Sequence, residues 1–82
     1  MSNIKDLLGS KYQWAAQRAH DAEQIHAAVV ANQLTKEQAV ELLQDLIDTD
    51  HLDNVATDFA VKTNLINAIQ NIITVVKALS SI

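Results

Sequence analysis

The chain contains neither cysteine nor proline. Without thiols there is no disulfide framework, no thiolate metal site and no cysteine nucleophile, and nothing points to an oxidising compartment. A single glycine, Gly9, leaves very few turn residues. Sheet proteins need such residues at short intervals, so long helices with few connections are expected. Tyr12, Trp14 and Phe59 are the only aromatic residues, and core volume must come from Ala, Leu, Ile and Val. No apolar stretch approaches the ~20 residues that span a bilayer, so no membrane span is expected. The first residues include Lys5 and Asp6 and hold no long apolar run, so they do not read as a signal peptide. The expected location is the cytoplasm.

What is present is 82 residues with 49% apolar content. This composition is too apolar for a disordered chain and suits one domain over residues 1–82. A core of that size is marginal, so stability must come from close helix packing or from oligomerisation. The expected class is all-α: an antiparallel three-helix arrangement with a short N-terminal arm (1–10) and a long C-terminal helix.

Punctuation places the helices. Asn3 can cap a first turn carrying Ile4, Leu7 and Leu8, ended by Gly9 in the left-handed conformation. Ser10 and Gln13 are spaced as a capping box and open a helix within residues 11–33. Along it Tyr12, Ala15, Ala19, Ala22, His26 and Val29 share one face. Trp14 lies off that stripe and covers its edge. Asn32 and Gln33 end this helix. Thr35 and Gln38 form a second capping box and open a helix over 35–48, with apolar lines Val40–Leu43–Ile47 and Ala39–Leu42–Leu46. The polar run 48–54 reads as a connection. Asp50 or Asp53 would cap the last helix, which occupies residues 53–80.

Charge is uneven. Residues 37–61 hold seven carboxylates and no Lys or Arg, while the segments on either side are slightly basic, for a net charge of −4. Asp48 and Asp50 suggest a calcium loop, but an EF-hand also needs an oxygen ligand, a glycine and a glutamate at its fifth, sixth and twelfth positions. Leu52, Asp53 and Phe59 stand there. Glu23 and His26 match half of a di-iron helix motif, and no second pair completes it, so no metal or other cofactor is expected. His26 is read instead at the edge of the packed stripe, beside a carboxylate. The serines lie at the termini or in a cap, and no nucleophile–histidine–acid spacing exists. An enzyme is not expected. Nucleic acid is not an expected partner either, because six scattered Lys and Arg on an acidic chain build no stripe to neutralise phosphates.

Two surfaces remain as candidates. Glu37, Glu41, Asp45 and Asp48 share a face of the second helix, where like charges oppose helix formation and Asp45 and Asp48 sit at the unfavourable end of the dipole. This face is either simply solvated or a dock for a basic partner. The last helix carries no charge from Thr63 to Val76. One of its lines is Val61, Leu65, Ala68, Ile72, Val75, Leu79 and Ile82; a second is Phe59, Ile66, Ile69, Ile73 and Val76. A third is Asn64, Asn67, Asn71 and Thr74. The two apolar lines exceed what the first two helices could cover. An oligomer interface is therefore expected at Ile69, Ile72, Ile73, Val76 and Leu79. The expected function is a protein–protein interaction or assembly subunit that self-associates through this helix, in the manner of a small phage structural or accessory protein, which would place it in the virion. The alternative is an adaptor or inhibitor docking a basic partner through its acidic helix.

Overall fold

The computed structural model describes residues 7–79, with the side chains of residues 49–51 outside the description. Among the described residues the longer elements are all helices: α1 Gln13–Val30, α2 Lys36–Leu46, α3 Thr49–Val55 and α4 Phe59–Ala78. Leu7 and Leu8 are also helical. The expected cap at Asn3, with Ile4, lies outside the described residues, as does Ile82.

The start of α1 differs from the expected capping box. Tyr12 is the N-cap residue and makes no side-chain cap bond. The Ser10 hydroxyl instead accepts the Tyr12 N–H at 3.1 Å, a short-range bond that competes with capping. Nor is Gly9 left-handed; the one described residue with positive φ is Asn32, at 62°. There the Asn32 N–H donates to the Val29 carbonyl and the Gln33 N–H to the Ala28 carbonyl. These are the paired bonds of a Schellman motif, with Asn taking the position that glycine usually fills.

The start of α2 follows the sequence. The Thr35 hydroxyl accepts the Gln38 N–H, and the Gln38 amide oxygen accepts the Thr35 N–H, both at 3.1 Å. The expected connection over 48–54 is instead largely helix α3. Leu52 explains why: it is fully buried and anchors this polar segment to the core. The chain then leaves helical geometry at Ala56–Asp58. Consequently α4 begins later than residue 53, and its cap is Asp58, which accepts the Val61 N–H at 3.1 Å. Neither Asp50 nor Asp53 caps it. The Asp53 carboxylate pairs with the Lys62 ammonium and ties α3 to the first turn of α4.

Three contacts between distant residues define the topology. The Arg18 Nε, near the start of α1, donates to the Leu46 carbonyl at the end of α2. The Lys36 ammonium, at the start of α2, donates to the Leu79 carbonyl just past α4. The Tyr12 hydroxyl, before α1, donates to Asp58, before α4, at 3.0 Å. Successive long helices therefore run antiparallel, while α1 and α4 run parallel. In both antiparallel contacts a cation meets the free carbonyls of a helix C-terminus, where the dipole favours it.

The core forms where the three long helices meet, each touching the other two. Ala15, Ala19 and Ala22 of α1 are fully buried. Their small side chains let Leu65 and Ile69 of α4 and Leu43 of α2 fill the space between the helices, all three with no exposed surface. Leu7 and Leu52 join the same cluster.

Candidate functional site

The acidic line is held on the outer side of α2 by the burial of Ala39 and Leu43 on the inner side. Glu37, Glu41, Asp45 and Asp48 are all exposed, but the structure does not gather them into one site. Glu37 borders a hollow of about 440 Å³ between α2 and α4, beside Lys36, Val40 and Lys77. Two ammonium groups therefore share that hollow with it. Glu41 and Asp45 lie toward α1. Together with Gln38 they edge a depression floored by Leu34 and Leu42. Neither forms an ion pair among the described residues, and Asp48 stands beyond the end of α2, where its N–H donates to the Asp45 carbonyl.

That depression continues into a groove of about 400 Å³ between α1 and α2. Ile25 and Ala28 form its α1 side, Leu42 and Leu46 its α2 side, and Leu34 of the connection closes one end. These side chains are only partly buried, and Leu42 is 42% exposed. Asp21 stands on the α1 rim opposite Asp45, its carboxylate accepting a bond from the Gln17 amide at 3.2 Å. At the other end Arg18 is held by the carbonyls of Leu46 and Trp14. It joins the helices and makes no ion pair with Asp21 or Asp45. No residue of α4 lines the groove. Sequence reasoning missed it because Leu42 and Leu46 follow the same periodicity as the buried residues beside them.

The structure divides the residues of the expected oligomer interface between two settings. Ile69 and Val76 have no exposed surface and Ile73 has 8%, so they belong to the core of the chain itself. Ile72 and Leu79 are half-buried against that core. The expectation of a longer apolar surface than the other helices can cover rested on a last helix over residues 53–80. The observed α4 has 20 residues against 18 in α1, so at ~1.5 Å per residue the two match in length. What α4 shows outward is polar: Asn64, Asn67, Asn71 and Thr74 are exposed. Val75, 47% exposed, and Phe59, 78% exposed, are the largest apolar departures from that pattern on α4.

Among the described residues, no three or more His, Asp or Glu side chains lie close enough together to hold a metal ion. The expected carboxylate beside His26 is not paired with it: Glu23 Oε1 is buried without a hydrogen-bond partner, as is Trp14 Nε1. Tyr12 and Trp14 have ring centroids 5.6 Å apart, but the Tyr12 hydroxyl is engaged by Asp58 and Trp14 packs on the core. The Val61 N–H and the Tyr12 hydroxyl hold the Asp58 carboxyl below its ordinary value, while the bond to Asp58 raises the Tyr12 phenol. No helix among the described residues is long and apolar enough to cross a membrane.

Compared with protein-family models, curated proteins and solved structures, the chain matches none.

Proposed function

We propose that the chain is a non-enzymatic interaction protein that docks a basic partner through Glu41 and Asp45 of α2. The observation that carries this reading is the position of these two carboxylates: exposed, without ion-pair partners among the described residues, and bordering a partly exposed apolar groove. Like charges four residues apart weaken a helix slightly, and Asp45 also opposes the α2 dipole. A partner's cations would relieve both penalties. The test is co-purification at several salt concentrations, comparing wild type with a Glu41→Lys, Asp45→Lys double variant whose helicity is checked by circular dichroism. The expected result is a protein retained by the wild type, released as salt rises and lost in the variant. Exposed charges are screened over ~8–10 Å at ordinary ionic strength, so capture that ignores both salt and charge reversal overturns the reading.

A second reading is self-association through α4, as in a phage-type assembly subunit. It is favoured by one observation: the outer face of α4 carries amides and hydroxyls from Thr63 to Thr74 and no charge. Exposed helices normally place charged groups there, and polar side chains can set the register between helices. Light scattering at micromolar concentration separates the readings, since only the second requires a mass above that of one chain. The setting is the cytoplasm for the first and the cytoplasm or a virion for the second.

A further inference from the structure

We infer that the groove between α1 and α2 receives an amphipathic helix of another protein, with an apolar stripe flanked on both sides by Lys or Arg. This rests on the docking reading and adds the partner's shape and chemistry. The groove joins two features that separately say little. Its floor is aliphatic, with Ile25, Leu34, Leu42 and Leu46 only partly covered. Its rims are acidic on opposite sides, Asp21 on α1 and Asp45 with Glu41 on α2. An apolar floor between two acidic rims complements a helix with one apolar stripe and basic flanks.

Geometry favours a helix as the occupant. The described residues contain no strand, so there is no sheet edge on which an extended peptide could add itself. The lining residues run from Asp21 to Ala28 on α1 and from Gln38 to Leu46 on α2, which is ~10–13 Å at ~1.5 Å per residue. That length matches about two helical turns, with anchors at i, i+3 or i+4, and i+7. A helix laid there would pack against α1 and α2 as α4 does on their other side. Charge argues against the competing occupants. In a symmetric dimer across this groove, Glu41 and Asp45 of one copy would face acidic groups of the other. Anionic lipid headgroups would meet the same repulsion.

The probes are stapled helices of about 14 residues, roughly 20 Å long, with leucines along one face and Lys, Gln or Glu on the flanks. A fourth has Lys flanks with serine replacing the leucines. Binding is read by fluorescence anisotropy, and its location by amide shifts in the labelled protein. The expected affinity order is Lys above Gln above Glu, with the serine version far weaker than its leucine counterpart. Shifts are expected at Ala28, Leu34, Leu42 and Leu46. Leu42→Ser, a change at a partly exposed position, should weaken the Lys–Leu helix by roughly tenfold, the scale expected for one buried leucine. If the serine version binds equally well and only Glu41 and Asp45 shift, the groove inference falls and charge-driven docking stands. Shifts centred on α4, or no binding by any probe, overturn the inference, and the co-purification test then decides the docking reading independently.

Discussion

Helices α2 and α4 differ in the way that most easily misleads a reading of their residues. Uncharged and rich in isoleucine and valine through its centre, α4 invites the idea of a partner. Yet Ile69, Ile73 and Val76 are spent inside the chain's own core. Charged and shorter, α2 looks like an ordinary solvated helix, and yet it leaves Leu42 partly exposed beside Glu41 and Asp45. Apolar content says that a surface wants burial; it does not say which neighbour covers it. The neighbour is decided by α1, whose buried alanines admit α4 closely over a matching length. Among the described residues no helix covers the other side of the α1–α2 pair, where the groove lies.

The largest expected effect would break this comparison at its α4 end. Ile69→Ala should cost ~2–5 kcal/mol, combining lost transfer energy with a cavity. Val75→Ala, six residues further along α4 and already 47% exposed, should change stability by far less. Urea denaturation of the two variants reads the difference. Similar small losses would mean that the C-terminal half of α4 is not core in solution, and the oligomer interface first expected at Ile69, Ile72, Ile73, Val76 and Leu79 would return.

Much of this architecture was legible in the residues, for local reasons. The alanine stripe has helical spacing, and the Thr35–Gln38 box needs only four consecutive residues to close. Asn32 is favoured at a left-handed helix end because its short polar side chain tolerates that conformation. What escaped detection depends on distant contacts. Tyr12 is positioned by Asp58, 46 residues away in the chain, and Ser10 bonds to the Tyr12 N–H in place of capping Gln13. The helix α3 is short, and its main apolar anchor, Leu52, is recognisable only once the core it enters is known. The division of the acidic line between two grooves likewise depends on where α1 and α4 lie, which the spacing of Glu37, Glu41, Asp45 and Asp48 cannot reveal.

A smaller effect sharpens the account at α1. Ala22 has no exposed surface, and a leucine there would enter space already filled by its neighbours in the core. Ala22→Leu should cost ~1–3 kcal/mol through overpacking. Ala27→Leu, on the exposed side of α1, should leave the melting temperature nearly unchanged. Equal tolerance at both positions would show that close approach to α1 is not what covers α4.

The smallest expected effect concerns the bond that aligns the starts of α1 and α4. Asp58 accepts the Tyr12 hydroxyl and the Val61 N–H, and its carboxyl is lowered from 3.8. A depressed carboxyl stabilises the fold above its unfolded value, and that contribution is lost as pH falls through the folded value. Tyr12 is raised from 10.0, chiefly by the same bond. Its contribution is complete below the unfolded value and disappears as pH rises through the folded one. Removing the hydroxyl in Tyr12→Phe should therefore lower the melting temperature modestly and evenly between ~pH 5 and ~pH 9. The gap to wild type should narrow outside that window, at the acid end because Asp58 gains its proton and at the alkaline end because wild-type Tyr12 loses its own. Asp58→Asn is the companion variant: it keeps an oxygen able to cap Val61 and removes the charge, so it should flatten the acid limb. A Tyr12→Phe variant that melts with wild type at every pH would mean that Tyr12 acts only by packing its ring beside Trp14, and that other contacts hold α1 and α4 in register.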